Sequence, residues 1–280
     1  MNDPRGVLLR LLAERRPLLM GILNVTPDSF SDGGVYLGGA WERRIDQLLE
    51  EGADLIDIGG ESTRPGAEPV AAEEQLTRVL EPVRVACSRG ALVSIDTTSP
   101  LVARESCEAG ALVVNDVSCL ADPGLARVAR DFNGWLLVMH SRGLMRTMRG
   151  FSTYPEEGYQ DVVQEVYDEL AQARSKAMAE GLAEDRIWVD PGLGFHKSAA
   201  QSYALLHRLD TLTKLGPVVV GASRKSFLAR DVGGAPTERL GGTIAACLAA
   251  VRQGASVLRV HDVRAVRQAL AVEQAILRGG

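Results

Sequence analysis

Asp96, Asn115 and Asp190 each stand at the end of an apolar run, in ALVSIDT, ALVVND and RIWVDPG. With Lys225, just after PVVVGAS, they offer acceptors, donors and charge inside an apolar wall. Such a set suits a flat heterocycle with adjacent N–H donors and a carbonyl, for example an aminopyrimidinone ring. A second group follows the run SVLRVH, where Arg259 and His261 precede Asp262 and the start of a helical segment. Two cationic or donor side chains beside a helix N-terminus make an anion site, most simply for phosphate. Asn24 and the hydroxyls of Ser62 and Thr63 can complete it through a hard cation that keeps several waters. The expectation is a ring at the bottom of a site and a phosphate at its rim. Taken singly, each residue is an ordinary turn residue or helix cap.

What gives the group weight is the regularity of the elements that must position it. Apolar runs of strand length recur at 17–24, 53–60, 91–97, 111–116, 135–140, 186–192, 217–223 and 256–261. They are continuous rather than alternating, as in strands buried on both faces. Between them lie segments of helical period, among them 40–53, 71–90, 99–111, 122–132, 156–181 and 241–255. Gly52, Gly90, Gly110, Gly181 and Gly254 close several of these, a helix-end signal. Eight strands alternating with helices over 280 residues predict a single (β/α)8 TIM barrel. A doubly wound open sheet is the alternative, weakened by the absence of GxGxxG after the first strand. No linker divides the chain, so 1–280 reads as one domain, with 1–16 a helical extension capping the barrel bottom.

In such a barrel the active site forms at the C-terminal ends of the strands. The residues found there are Asn24, then Glu61 to Arg64, Asp96, Asn115 with Asp116, His140, Asp190, Ser223 to Lys225, and Arg259 with His261. Capping alone does not explain a polar group at every strand end.

Composition narrows the function class. Hydrophobic residues at 46% and charged residues at 24% support a sizeable core and exclude general disorder. A net charge of −5 argues against a nucleic-acid binder working through a broad basic face. Cys87, Cys107, Cys119 and Cys247 are scattered without metal-like spacing, as expected for reduced thiols of a cytoplasmic protein. The first 17 residues mix acid, base and apolar residues as an amphipathic helix does, not a signal peptide, and no run has the length of a membrane span.

Seven strings, NVTPDSFSDGG (24–34), GGESTRPGA (59–67), SIDT (94–97), NDVS (115–118), DPGLGFHK (190–197), GASRKSF (221–227) and RVHDV (259–263), resemble the motif series of the dihydropteroate synthase family in order and spacing. The resemblance runs from Leu18 onward. It implies a barrel joining 6-hydroxymethyl-7,8-dihydropterin diphosphate to 4-aminobenzoate, with 7,8-dihydropteroate and diphosphate as products. Carried over by position, Asp96, Asn115, Asp190 and Lys225 bind the pterin and carry the reaction. Thr63, Arg259, Val260 and His261 take the diphosphate, and Asn24 binds Mg²⁺. Phe30, Pro65 and Ser226 shape the aminobenzoate site, and Asp32 and Arg64 belong to two loops that close over the pterin. The resemblance also implies a homodimer acting on small molecules, while charge, cysteines and the lack of a long apolar run lead to the expectation of a cytoplasmic protein without nucleic acid or membrane.

Lesser signals are His196, expected to face solvent, His140, expected to position a loop, and His207, expected to be structural on an outer helix. The stretch 140–155 carries Arg142, Arg146 and Arg149 and no acid before Pro155, and reads as a solvated loop. Two rivals stand beside the synthase reading. One is a pterin-binding barrel that passes a methyl group to a corrinoid, which has no need of SRK and RVHDV; the other is a barrel that binds pterin without converting it.

Overall fold

The structure, a computed structural model, describes residues 3–14, 16–26, 39–61, 68–143 and 152–279. Eight parallel strands run β1 (Leu18–Asn24), β2 (Leu55–Gly59), β3 (Leu92–Asp96), β4 (Val113–Asp116), β5 (Trp135–Met139), β6 (Ile187–Asp190), β7 (Val219–Val220) and β8 (Val257–Val260). They form one sheet in the order β6-β5-β4-β3-β2-β1-β8-β7. A parallel bridge between Val189 and Val218 closes the ring, with the Val189 amide donating to the Pro217 carbonyl at 3.0 Å. The helices α2 (Ala40–Glu50), α3 (Ala72–Ser88), α4 (Pro100–Glu108), α5 (Gly124–Asp131), α6 (Val162–Ala179), α7 (Ala199–His207), the short α8 (Ala229–Val232), α9 (Leu240–Arg252) and α10 (Val263–Arg278) lie between and after the strands. This is a (β/α)8 barrel.

The continuous apolar runs conceal a period of two, since alternate residues of a strand face opposite sides. Leu19, Leu23, Ile56, Ile58, Val93, Ile95, Val114 and Val138 pack with the helices. Leu18, Met20, Leu55, Leu92, Val113, Trp135, Leu137, Trp188, Val219 and Val257 form a separate cluster inside the lower barrel. The N-terminal helix α1 (Pro4–Ala13) inserts Leu8 into that inner cluster and rests Val7, Leu11 and Leu12 on it. It caps the bottom, as expected. Asp3 starts it by accepting from the amides of Arg5 and Gly6, both at 3.1 Å.

One expected helix is shorter than its pattern. The segment 156–181 opens with a 3₁₀ turn, Glu156–Gly158, and α6 begins only at Val162. Asp161 sets that start, its side chain accepting from the amides of Val163 at 3.0 Å and Gln164 at 3.2 Å. Gly110 has φ 118°, the left-handed conformation its helix-end position calls for. Among the described residues no helix is long and apolar enough to cross a membrane, and all four cysteines are free thiols.

Candidate active site

At the upper ends of the strands the inward positions turn polar. Asp57, Asp96, Asn115, Asp190 and Arg259 occupy them, and the four on β2, β3, β4 and β6 are buried. Arg259 ties two of these strands together, donating from Nε to Asp57 Oδ2 at 2.6 Å and from Nη2 to Asp96 Oδ2 at 2.9 Å. Asn115 Nδ2 donates to the same Asp57 oxygen at 3.1 Å, while Asp57 Oδ1 is buried without a partner among the described residues. Burial pushes the Asp96 carboxyl up to about 7, opposed by Arg259 and reinforced by the carboxylates of Asp57, Glu61 and Asp116.

Asp190 and Lys225 face each other across β7. Burial raises the Asp190 carboxyl, with Lys225 as the main opposing charge, and the Gly192 amide donates to its Oδ1 at 2.7 Å. Lys225 Nζ donates to the Leu193 carbonyl at 2.7 Å and lies 4.5 Å from the centre of the Phe195 ring. Burial lowers Lys225 to about 8, against the pull of Asp190. Two glycines leave room among these groups. A Cβ on Gly221 would lie 3.8 Å from both Asp190 Oδ2 and Lys225 Nζ, and one on Gly59 3.7 Å from Asp96 Oδ2. The result is a buried polar layer in which Arg259 joins Asp57 to Asp96 and Lys225 faces Asp190, with Val117, Met139 and Phe195 as a small apolar cluster at the strand ends.

The anion group lies to one side. A cavity of about 660 Å³ reaches Asn24, Arg44, Arg224 and His261 and continues between α2 and α10, where Glu51 and Gln268 line it. Ser223 Oγ, 3.1 Å from His261 Nδ1, orients the imidazole, and Arg44 donates to the His261 carbonyl at 2.6 Å. Burial, with Arg259 and Arg224 nearby, holds His261 down to about 4, so it is a neutral hydrogen-bonding group at pH 7. Asp262 stands at the N-cap of α10 without capping it; its carboxylate instead takes Arg224 Nε at 2.9 Å and Nη2 at 2.5 Å. The uncapped first turn of α10 therefore keeps amides for an anion.

The structure refines several sequence expectations. Val260 is buried in the helix-facing core, which leaves only its backbone for the site. Asp116 turns away from the barrel interior: it accepts from the Ser118 and Leu120 amides and from the Ser118 hydroxyl, shaping the loop after β4. Glu61 accepts from the Val70 amide at 3.2 Å and Gln75 Nε2 at 3.0 Å, ordering the start of α3. Ser226 Oγ is 3.1 Å from Ser152 Oγ. Thr63, Phe30, Asp32, Arg64 and Pro65 lie outside the described residues.

His196 does not face solvent. The chain folds back over the strand ends, placing His196 Nδ1 3.1 Å from Ser141 Oγ and enclosing Nε2 without a partner among the described residues. Arg142 is likewise no solvated loop residue, for it pairs with Glu165 at 2.7 Å and with Glu169, and its guanidinium lies 3.9 Å from the centre of the Tyr159 ring. His140 Nε2 is 2.9 Å from the same Glu169, in keeping with a positioning role. Sequence reasoning missed Asp57, hidden in ADLIDIGG; its sign was an acid at the third of five strand positions, in step with Leu55 and Gly59. It also missed Lys197, a cation enclosed by its own motif.

This geometry has close counterparts. The family described as pterin binding enzyme matches residues 20–261. The dihydropteroate synthase of Escherichia coli K12 is 39% identical over 93% of this chain and 92% of that protein. Among solved structures, Xanthomonas albilineans dihydropteroate synthase with 4-aminobenzoic acid superposes with a TM-score of 0.85 at 42% identity, covering 94% of this chain and 93% of that one. Burkholderia cenocepacia dihydropteroate synthase complexed with 7,8-dihydropteroate gives 0.82 at 40% identity, covering 94% and 92%. Carried by barrel, motif series and relatives alike, this chain belongs to the dihydropteroate synthase family of pterin-binding enzymes.

Proposed function

We propose that this chain condenses 6-hydroxymethyl-7,8-dihydropterin diphosphate with 4-aminobenzoate, releasing diphosphate and forming 7,8-dihydropteroate. The observation that carries the reading is the buried polar layer of Asp96, Asn115 and Asp190, with Lys225 beside Asp190, together with Asn24, Arg224 and His261, which line one cavity. In this reading the carboxylates accept from the ring N–H groups, and Lys225 and Asn115 serve its acceptors. The C–O bond to diphosphate breaks as negative charge grows beside His261, Arg224 and the first turn of α10. The methylene carbon becomes cationic in conjugation with the ring, and ionised Asp96 offsets that charge. The aminobenzoate nitrogen then forms the C–N bond and gives up its proton to diphosphate or water, so no strong general base is needed.

Arg259 enters this scheme differently from a simple diphosphate clamp. Its Nε and Nη2 are committed to Asp57 and Asp96, so it tunes the carboxylate that faces the ring while contributing positive charge to the anion side. The residues near Asn24 fit Mg²⁺ as an ion shared with the substrate. Asn24 supplies one neutral oxygen, and the described residues contain no group of three or more His, Cys, Asp or Glu able to hold a metal. Diphosphate oxygens and waters would make up the rest, a set of hard oxygen donors that suits Mg²⁺, and the ion would neutralise leaving-group charge. Phe30, Pro65 and Ser226 are proposed to bound the aminobenzoate site, with Thr63 on the diphosphate and Asp32 and Arg64 on the loops above it. We further propose that the protein is cytoplasmic and a homodimer; light scattering on the purified protein tests the dimer, and cell fractionation the compartment.

The deciding experiment incubates the protein with the dihydropterin diphosphate and Mg²⁺, with and without 4-aminobenzoate, and follows dihydropteroate. Product that appears only with both substrates supports the synthase. Pterin diphosphate bound but never converted points to a pterin-binding barrel without this activity.

A further inference from the structure

Lys197 is a fully buried cation that the proposed reaction does not use. Its Nζ meets no carboxylate directly. Instead it lies 2.8 Å from His140 Nδ1, 3.0 Å from the Phe195 carbonyl and 3.1 Å from the Gly192 carbonyl, with the His140 carbonyl at 3.4 Å. An ammonium has three donors, and the three nearest acceptors take them. Burying such a charge without an ion pair costs several kcal/mol after relaxation, and burial accordingly lowers Lys197 to about 7 against the pull of Asp190, so packing alone would favour an apolar residue.

The acceptors explain the expense. Residues 191–197 form the loop after β6, where Gly192, Gly194 and His196 have φ of 65°, 80° and 47°. A Cβ on Gly192 would lie 2.0 Å from the His140 carbonyl, so the loop lies tight against the end of β5. His196 has no such excuse as a glycine, and its left-handed backbone needs holding in place. Lys197 gathers two of this loop's carbonyls and joins them to His140 at the end of β5. His140 is built to receive it: Nε2 is turned to Glu169, burial holds the imidazole down to about 4, and Nδ1 is therefore left as the acceptor. Arg142 in turn holds Glu169.

The same loop seats the ring-binding cation. The Leu193 carbonyl takes Lys225 Nζ at 2.7 Å, the Phe195 ring lies 4.5 Å beneath it, and the Gly192 amide holds Asp190. We infer that Lys197 is a positioning residue of the pterin site: its buried amino group shapes the 191–197 loop, and through Leu193 and Phe195 sets where Lys225 meets the ring. This rests on the ring reading given above.

A binding cycle on the full chain tests it, with 7,8-dihydropteroate as the titrant and four proteins: wild type, Lys197→Met, Lys225→Met and the double variant. Lys197→Met should weaken binding by about tenfold or more alone, and by less than about twofold in the Lys225→Met background, because the effect passes through Lys225. The KM for 4-aminobenzoate in Lys197→Met should move by less than about threefold, a split that general loosening of the barrel would not produce. Full additivity, or wild-type affinity in Lys197→Met, overturns the inference. Lys225→Met binding as tightly as wild type overturns the ring reading itself and the inference with it. Should Lys197→Met not fold, Lys197→Gln, which keeps donors without the charge, runs the same cycle with the same decision.

Discussion

Below the middle of the barrel, Met20, Trp135, Trp188 and Val257 close over Leu8 of the N-terminal helix; above it, Asp57, Asp96, Asn115, Asp190 and Arg259 fill the same cylinder. Both regions are withheld from water, yet their energies have opposite signs. The lower plug gains from every apolar group removed from water. The upper layer bears the desolvation of several charges, only partly repaid by Arg259 between its two carboxylates. An inner layer of leucine would be the more stable choice there. What the difference teaches is that the lower half exists to hold the strand ends still, and the upper half is kept costly for a ligand that can use its charges.

The comparison breaks most visibly at its ends. Trp188→Ala should cost about 3–5 kcal/mol in a denaturant titration while the molecules that remain folded keep their KM for both substrates. An altered KM would mean the plug reaches into the chemistry. Asp96→Asn should do the reverse, lowering kcat/KM for the pterin diphosphate by about 10²- to 10³-fold with no loss of stability near pH 8. A destabilisation as large as that of the plug variant would show that Asp96 is structural.

The pH profile sharpens the same contrast. With Asp96 pushed up to about 7, its proton must leave before it can face a cationic ring, so kcat/KM should rise through pH 7 by up to about tenfold per unit. Asp96→Asn should lose that limb. Stability also rises with pH at the outer brace. His140 is held down to about 4 and Glu169 to about 2, so both bind fewer protons folded than unfolded. Stability should therefore fall as pH drops, from about 6.5 to 4 for His140 and from about 4.5 to 2 for Glu169. His140→Gln should flatten the upper part of that fall by on the order of 1 kcal/mol in urea titrations at pH 4.5 and 7.

Much of this was legible in the residues. The eight apolar runs, the glycines that end helices and the polar residues at the strand ends led to the barrel and to the face that carries the site, because strand length and helix period are local properties. Asp96, Asn115 and Asp190 stand out the same way and lie buried at the strand ends, with Lys225 beside Asp190. Facing was less legible. A strand buried on both sides shows no alternation of polarity, so nothing in VVND separates Asn115, turned inward to Asp57, from Asp116, turned to its own loop. Val260 and Arg259 are divided by the same pleat.

By itself, then, the sequence determined the alternation of strands and helices, the order of the motifs and the chemical types available at each strand end. Only the tertiary structure decided the partnerships: Arg259 with Asp57 across 202 positions, Lys197 with His140 across 57, and Leu8 as the plug of a barrel it precedes. The physical reason is closure. A parallel barrel brings together residues separated by whole βα units, and the cost of a buried charge depends on which neighbour arrives, which no local pattern encodes.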